Sequence, residues 1–176
     1  MRIIAGSHRG HTINAPAGQD TRPTSDRVRE NVFNIVGPVD GAAVLDLYAG
    51  SGAMGLEALS RGAARAVFVE SDGDAVRAIE RNLDKLKLRA TVLRRDAIAV
   101  LSAEASAGRK YDLVLVDPPY DMYTDLQPQL ARYLPVVLAD DGMLVVETDA
   151  RTQPELPLEE RTSRKYGQTR VTVYEK

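Results

Sequence analysis

The sequence predicts an α/β fold in which a mostly parallel sheet is covered by helices on both faces. Three observations predict it. From residue 43 onward, short apolar runs alternate with amphipathic helical segments, a glycine-rich loop follows the first of these runs, and two more runs close the chain around a Gly-Gln turn. Strands separated by helices pair in parallel, whereas two strands joined by a tight turn pair antiparallel. The closing pair therefore predicts an antiparallel edge hairpin.

The first forty residues predict a small unit ahead of the sheet. Residues 2–6 and 11–15 predict the two strands of a β-hairpin, because turn-forming residues separate them. A helix with an apolar stripe follows, with Thr24 or Ser25 as its N-cap and Gly37 at its end. We expect this hairpin and helix to pack beside the sheet.

The remaining chain, 41–176, predicts the main domain, which leaves 1–40 as an appendage to it. Its helices carry apolar residues three or four positions apart, as at Val76, Ile79 and Leu83. Its strands are short and nearly all apolar, which is typical of a parallel sheet with both faces covered. The predicted strands are 43–47, 66–69, 91–93, 112–116, 143–146, 159–166 and 169–174.

The composition excludes several classes of site. With 176 residues, 44% of them apolar and 27% charged, the chain matches a globular domain rather than a disordered or fibrous one. It contains no cysteine, which excludes disulfides, zinc–thiolate sites, iron–sulfur clusters and cysteine nucleophiles. The first residues, MRIIAGSH, contain no apolar run of signal-peptide length, and no apolar run in the chain approaches the length of a membrane span. We therefore expect a cytoplasmic protein, and the two histidines lack the acidic neighbours that would predict a metal site.

Charge is distributed unevenly along the chain. The net charge is −2, but residues 1–19 carry +2 and residues 161–176 carry +4, which leaves −8 over residues 20–160. If the two ends meet in space, they form a cationic surface for an anionic partner such as a nucleic acid. The alternative is that these cations are solvated residues at the edges of the fold, and charge alone leaves both interpretations open.

A glycine-rich loop follows the first strand of the main domain. Gly50-Ser-Gly52-Ala-Met-Gly55 fits the pattern G-x-G-x-x-G, and Glu70 ends the next strand, 20 residues after Gly50. Such glycines let the backbone approach a ligand closely, and a carboxylate at a strand end can bind two ribose hydroxyls. The pattern indicates an adenosine-type ligand, either a nicotinamide dinucleotide or S-adenosylmethionine.

Two aspartates at strand ends help to distinguish between a nicotinamide dinucleotide and S-adenosylmethionine as the ligand. Asp46 stands before the loop at a place where nicotinamide-binding loops already have their first glycine. A carboxylate there suits the cationic S-adenosylmethionine and would repel a pyrophosphate. Asp96 ends the third strand, where it can accept a hydrogen bond from the adenine amine while the Ala97 N–H faces a ring nitrogen. Asp96 can equally be the N-cap of the helix that follows.

The fourth strand ends in Asp117-Pro118-Pro119-Tyr120. Two prolines fix two φ angles and remove two N–H donors, so the loop is stiff and its carbonyls are available as acceptors. An amine on a planar base is a poor nucleophile, because its lone pair is delocalised into the ring. The Asp117 carboxylate and the Pro118 carbonyl can accept its two hydrogens and aim the lone pair at a methyl group, while Tyr120 stacks on the base.

At these residues the chain resembles class I S-adenosylmethionine-dependent methyltransferases, and more narrowly the RsmD family. That family methylates the exocyclic 2-amino group of a guanine in small-subunit (16S) ribosomal RNA. The loop and the Asp-Pro-Pro-Tyr segment are shared by the whole class, whereas the Arg-Pro-Thr segment and the Lys-Tyr-Gly turn are specific to the family. The matching segments are RIIAG at 2–6, TRPTSDRVRENVFN at 21–34, DLYAGSGAMGLEALSR at 46–61, DPPY at 117–120 and RKYG at 164–167.

The resemblance implies a seven-stranded sheet with the N-terminal hairpin and helix at the cofactor mouth. It implies S-adenosylmethionine as the cofactor, S-adenosylhomocysteine as its product, no metal, and a monomer acting on 16S ribosomal RNA or an assembling small subunit. The implied catalytic residues are Asp117, Pro118 and Tyr120. The implied cofactor contacts are Asp46, Tyr48, Gly50, Ser51, Gly52, Glu70, Ser71, Asp96, Ala97 and Asp117. The implied RNA contacts are Arg9, Arg22, Thr24, Arg27, Lys165 and Arg170.

Other functions stay open beside this one. The same chemistry could act on adenine in DNA or RNA, or on a protein glutamine, although enzymes that modify glutamine usually have Asn where Asp117 stands. A nicotinamide-dependent reductase would use the glycine loop but leaves the Asp-Pro-Pro-Tyr segment unexplained. An RNA-binding module without enzymatic activity fits the basic ends but not the cofactor residues.

Overall fold

The computed structural model describes residues 1–16 and 25–176. Its centre is a seven-stranded sheet with the order β3-β2-β1-β4-β5-β7-β6. The strands are β1 (Ala43–Leu47), β2 (Arg65–Val69), β3 (Thr91–Leu93), β4 (Tyr111–Val116), β5 (Leu138–Asp149), β6 (Glu159–Tyr166) and β7 (Thr169–Glu175). The helices are α1 (Asp26–Val36), α2 (Ala53–Ser60), α3 (Gly73–Leu86), α4 (Ala97–Ser106) and α5 (Tyr123–Val137).

The pairing confirms the predicted mixed sheet. Strands β1 to β5 pair in parallel, whereas β7 is antiparallel to both β5 and β6. The order of strands reverses at β1, which pairs with β2 on one side and β4 on the other. In open α/β sheets, ligands bind beside such a reversal, outside the carboxyl ends of the strands.

Helices cover both faces of the sheet, as the apolar strands predict. Helices α1, α2 and α3 and the N-terminal segment pack on one face, which we call the α2 face; α4 and α5 pack on the other. Successive strand residues point to opposite faces. Asp46 near the end of β1, and Glu70 and Asp117, which directly follow β2 and β4, therefore point to the same face of the sheet.

The N-terminal hairpin is shorter than the sequence predicts. Arg2 and Thr12 form an isolated antiparallel bridge, and Ile3 N–H donates to the His11 carbonyl at 2.9 Å. The strand does not continue, because the N–H groups of Ile4 and Ala5 donate to a carboxylate of α2 instead of a cross-strand partner. The segment is thus bound to the main domain by contacts with side chains of α2 and by a backbone hydrogen bond, from Ser7 N–H to the Ser60 carbonyl, rather than by a ladder.

The N-cap of helix α1 is Ser25, one of the two residues that the sequence predicts for this position. The Ser25 hydroxyl accepts a hydrogen bond from Val28 N–H at 3.2 Å, and Gly37 ends the helix with a φ of 83°. Thr24 lies outside the described residues. Sequence periodicity does not predict that Arg29 is fully buried on this helix.

Strand β5 is longer than the predicted 143–146. It begins directly after α5, and its register against β4 shifts between Tyr111 and Leu113 before regular pairing resumes. Within residues 1–16 and 25–176, no helix has the length and apolar character needed to cross a membrane.

Candidate active site

A cavity of about 620 Å³ lies at the carboxyl ends of β1, β2, β4 and β5. The glycine-rich loop, the ends of these strands, the turn before α4 and residues 15–16 form its walls. Its volume is within the range of small-molecule and cofactor sites. The cavity results from the order of the strands. After β1 the chain continues to one face of the sheet and after β4 to the other, so a space opens between the two strand ends.

Two glycines of the loop are required by its geometry. Gly52 has a φ of 81°, in the left-handed region, and α2 begins immediately after it. At Gly55 an added Cβ would lie 2.4 Å from the Phe68 ring, so a side chain there would push α2 away from the sheet. The close packing brings the Gly55 N–H within 3.0 Å of the Asp46 carboxylate.

Asp46 lies beneath the loop and is only 3% exposed. Burial, with a smaller contribution from the nearby charge of Glu70, raises the pKa of Asp46 to about 8, although the hydrogen bond from Gly55 N–H acts in the opposite direction. A buried carboxylate with an acidic neighbour is stabilised by a cation. The site therefore favours a positively charged ligand at this point.

Glu70 is held in one orientation by two backbone donors. Gly50 N–H donates to Oε1 and Asp72 N–H donates to Oε2, each at 2.9 Å. Each carboxylate oxygen keeps a lone pair for a further donor. Glu70 is thus oriented for the paired acceptor role that the sequence predicts, and Ser71 beside it also lines the cavity.

Tyr48 and Asp96 line the same cavity. Tyr48 has a φ of 58°, which is unusual for a residue with a side chain, and burial together with the charge of Asp96 raises its pKa to about 12. Asp96 Oδ2 accepts a hydrogen bond from Ala99 N–H at 2.9 Å, so it caps α4 as well as facing the cavity with Ala97. The N-cap interpretation of Asp96 is confirmed, and its contact with an adenine amine stays a prediction.

A buried amide joins the loop to the N-terminal segment. Asn82 Nδ2 donates to the carbonyls of Asn14 and Ser51, each at 3.0 Å, and its Oδ1 accepts from Asn14 N–H at 2.9 Å. Ser51 is a predicted cofactor contact, and Asn14 precedes residues 15–16 of the cavity wall. The segment and the loop are thus fixed relative to each other through α3.

Asp117, Pro118 and Tyr120 all line the cavity. Burial raises the pKa of Asp117 well above its usual range, and the neighbouring carboxyls of Glu147 and Asp46 raise it further. The Tyr120 hydroxyl is hydrogen-bonded to the Thr169 hydroxyl at the start of β7. The Asp-Pro-Pro-Tyr loop is thus braced against the antiparallel edge of the sheet.

Sequence reasoning did not identify Glu147, which lines the cavity at the end of the regular part of β5. The available signal was its position: an acidic residue directly after the apolar run 143–146, as Asp117 follows the apolar run of β4. Asp72, Arg95 and the exposed Met122 also line the cavity and were not predicted.

Four of the predicted RNA contacts belong to the part of the chain that the structure describes, and none of these four lines the cavity. Arg9 lies in the exposed N-terminal turn, Arg27 is exposed on α1, and Lys165 is exposed near the β6–β7 turn. Arg170 is engaged within the protein, since it donates to the Ala150 carbonyl at 3.2 Å and to the Ser163 hydroxyl at 2.8 Å. Arg22 and Thr24 lie outside the described residues.

The cavity is strongly acidic. Among the described residues that line it, Arg95 is the one Lys or Arg side chain, against six carboxyl groups. A pyrophosphate would be repelled by such walls, whereas a ligand with a sulfonium and an amino group would be attracted. The described residues contain no group of three or more His, Asp or Glu side chains arranged to hold a metal ion. The carboxyl groups are Asp46, Glu70, Asp72, Asp96, Asp117 and Glu147.

Comparison with known proteins identifies relatives over the whole chain. A family model described as conserved hypothetical protein 95 matches residues 1–175. YlbH of Bacillus subtilis strain 168, a proposed rRNA methyltransferase, is 40% identical over 187 residues, which cover 100% of this chain and 99% of that protein. Ribosomal RNA small subunit methyltransferase D of Escherichia coli K12 is 44% identical over 122 residues, which cover 68% of this chain and 60% of that protein.

Solved structures share the fold. The Escherichia coli protein yhhF, a proposed methyltransferase, has a TM-score of 0.88 at 36% identity and covers 100% of this chain and 97% of that one. The Thermus thermophilus 16S rRNA guanine-N2 methyltransferase RsmC, in complex with AdoMet and guanosine, has a TM-score of 0.69 at 25% identity. The latter match covers 91% of this chain and 44% of RsmC.

Proposed function

The chain belongs to the conserved hypothetical protein 95 family, the RsmD family of methyltransferases, and on this basis we propose that it methylates the 2-amino group of a guanine in 16S ribosomal RNA. The observation that carries the proposal is the position of Asp117-Pro118-Pro119-Tyr120 at the wall of an acidic cavity that fits S-adenosylmethionine. The relatives named as small-subunit rRNA methyltransferases support the class of substrate.

The residues of the cavity fit the cofactor in charge and in hydrogen bonding. S-adenosylmethionine supplies an electrophilic methyl group on a positively charged sulfur. Asp46 and Asp117 would face its cationic end, and Glu70, already oriented by two backbone donors, would accept from the ribose hydroxyls. Asp96 and Ala97 would meet the adenine edge, beside Tyr48 and the loop residues Gly50, Ser51 and Gly52. A nearby cation also lowers the pKa of Asp117, which favours its ionised form.

Asp117 and the Pro118 carbonyl would orient the amine of the target base. By accepting its two hydrogens, they favour the geometry in which the nitrogen lone pair faces the methyl group. The amine becomes briefly cationic during the transfer, and the carboxylate of Asp117 stabilises that charge. Tyr120, held at its hydroxyl by Thr169, would stack on the base, and the exposed Met122 adds apolar surface at the same mouth.

The substrate would bind across the cavity mouth. Ser25 and residues 15–16 lie on either side of the predicted Arg-Pro-Thr segment, and the appendage over 1–40 would form one side of the RNA site. We propose that a monomer in the cytoplasm acts on 16S ribosomal RNA or on an assembling small subunit. Arg9, Arg27 and Lys165 would contact phosphates, together with Arg22 and Thr24 near the incoming base.

Single-turnover methylation of 16S ribosomal RNA tests the proposal, with the modified nucleotide mapped by mass spectrometry. Asp117→Ala should lower the transfer rate by about 10²–10³ and leave cofactor affinity nearly unchanged, because orientation is lost mainly in the transition state. Asp117→Asn keeps an acceptor oxygen and should retain more activity than Asp117→Ala. Asp121→Ala, an exposed neighbour, is the matched control. Transfer to an adenine, or an undiminished rate in Asp117→Ala, would contradict the proposal.

Calorimetry tests the cofactor residues separately. S-adenosylmethionine should bind and NAD should not, because the walls of the cavity are acidic. Glu70→Ala should weaken S-adenosylmethionine binding by about 1.5–3 kcal/mol, since it removes charge-assisted contacts to the ribose. Asp84→Ala, on the exposed side of α3, should leave binding unchanged. Binding of NAD alone would show that the loop serves a different cofactor.

A further inference from the structure

Two carboxyl groups meet at the ends of adjacent parallel strands. Val116 of β4 pairs with Val146 of β5, so Asp117 and Glu147 follow at the same level. Asp117 continues the alternation of Leu113 and Leu115, and Glu147 continues that of Met143 and Val145, so both point to the α2 face. The side chains of Asp117 and Glu147 line the same cavity, and the Glu147 carboxyl raises the pKa of Asp117 both through its charge and as a hydrogen-bond partner.

A hydrogen bond between two carboxyl groups requires a proton, because ionised carboxylates only accept. The surroundings keep that proton in place. Asp46 faces the pair from β1 and Glu70 lies beyond it at the end of β2, and both are acidic. On the other side, Glu147 pairs with the apolar Val171 of β7. Arg95, the one Lys or Arg side chain among the described cavity residues, follows β3, three strands away from β4.

We propose that Glu147 is a positioning residue that shares a proton with Asp117 and thereby sets both its orientation and its capacity to accept the proton released by the amine. The proposal rests on the proposed function and extends it to a residue that the Asp-Pro-Pro-Tyr segment does not include. One Asp117 oxygen is occupied by the shared proton, so the other is left to face the amine. Fixing one acceptor in this way removes a rotational freedom that a lone carboxylate would retain.

The protons and electrons of the transfer balance on this pair. The amine lone pair forms the new N–C bond, the C–S bond breaks, and its electron pair stays on the sulfur, which becomes neutral. The nitrogen is then cationic and loses one proton to Asp117. The pair starts with one shared proton, ends with two, and returns the second proton to solvent after the product leaves. The two groups titrate as a unit, so the starting proton belongs to the pair.

The first test follows the titration of the cofactor-free protein, using carboxyl carbon-13 NMR. Glu147→Gln replaces the shared proton with an amide N–H that donates to Asp117, and it removes the neighbouring charge. Asp117 should then titrate as a single group at a clearly lower pH than in the unaltered protein. Asp121→Asn is the control and should leave the titration of Asp117 unchanged. An unchanged titration of Asp117 in Glu147→Gln would overturn the inference.

The second test is the pH profile of single-turnover methylation. Glu147→Ala removes the partner and should lower the transfer rate by about 10- to 100-fold, with the concentration of RNA at half-saturation nearly unchanged. Glu147→Gln should restore much of that rate near neutral pH and move the acid limb of the profile to lower pH. Equal losses in both variants, or no loss in Glu147→Ala, would overturn the inference. Failure of the unaltered protein to methylate 16S ribosomal RNA would instead overturn the proposed function.

Discussion

Asp46 is a buried carboxyl group with no cationic partner among residues 1–16 and 25–176, and such a group destabilises the folded protein once it ionises. In the unfolded chain this group ionises near its ordinary pKa of 3.8, whereas in the folded protein its pKa is about 8. Its contribution to stability is therefore fully present below about pH 4 and is lost as the pH rises toward 8. The raised pKa of Asp117 acts in the same direction. The acidic cavity thus lowers the stability of the cofactor-free protein in the pH range where a cationic cofactor would restore it.

Asp46→Asn should raise the stability of the cofactor-free protein at pH 8 by about 1–3 kcal/mol, or about 3–10 °C in Tm, and should change it little at pH 4. Asparagine keeps an oxygen for the Gly55 N–H and cannot ionise. Thermal unfolding at both pH values measures the effect. Asp84→Asn, an exposed residue of α3, provides the control. Equal Tm values for Asp46→Asn and the unaltered protein at pH 8 would show that Asp46 has a hidden cationic partner.

At the scale of elements, one carboxylate joins the N-terminal segment, α1 and α2. The side chains of Glu57 and Arg29 are both 0% exposed and form an ion pair with an N–O distance of 3.3 Å. Glu57 also accepts from Arg61 at 2.8 Å and from the N–H groups of Ile4 and Ala5 at 2.8 and 3.1 Å. Because α2 begins in the glycine-rich loop, this cluster fixes the appendage relative to the cavity.

Glu57→Gln should destabilise the protein by up to about 3–5 kcal/mol, because it removes the buried one of the two carboxylates that pair with Arg29 and leaves the partly exposed Asp26 to balance that charge. Amide hydrogen exchange should rise first in residues 1–16 and in α1, whose contacts to α2 depend on Glu57. Glu80→Gln on the exposed side of α3 is the matched control. Arg61→Gln, which removes a partly exposed donor, gives a milder second variant with the same expected exchange pattern. An N-terminal segment as protected as in the unaltered protein would show that apolar contacts alone hold it.

For the whole molecule, the proposed RNA surface combines the appendage and the β6–β7 turn. About four phosphate contacts predict a slope of log K against log salt near −3 for single-stranded RNA. Arg9→Gln, Arg27→Gln and Lys165→Gln together should flatten the slope and weaken binding. Arg170 is left intact, since its internal hydrogen bonds would confound the result.

The control for this variant replaces three other exposed cations. Arg81, Arg89 and Arg132 are exposed and lie on α3, before β3 and on α5. Their replacement by Gln removes the same charge and should leave the salt slope unchanged. A slope that depends on total charge alone, with both triple variants alike, would contradict a defined RNA surface at the two ends of the chain.

Local pattern in the sequence determines most of the sheet. Strands β1 and β3 have the predicted limits, and the Gly-Gln turn joins β6 to β7, because short apolar runs and turn residues act over a few positions. The strand-end rule also brings Asp46, Glu70, Asp96 and Asp117 to one cavity, since parallel strands end at one edge. Their assignment as cofactor and catalytic contacts remains a prediction, as does the division at residue 40.

Only the tertiary structure determines the features that depend on contacts between residues far apart in the sequence. Arg29 and Glu57, 28 residues apart, form a fully buried ion pair, to which Asp26 and Arg61 add further opposite charges. The N-terminal hairpin shortens because Glu57 takes its backbone donors, and Glu147 joins the site only through the register of β5 against β4. Local propensity sets which strands and helices form, but burial of a charged group is favourable only when its partner is in place. That pairing is set by strand order and register, which sequence periodicity does not specify.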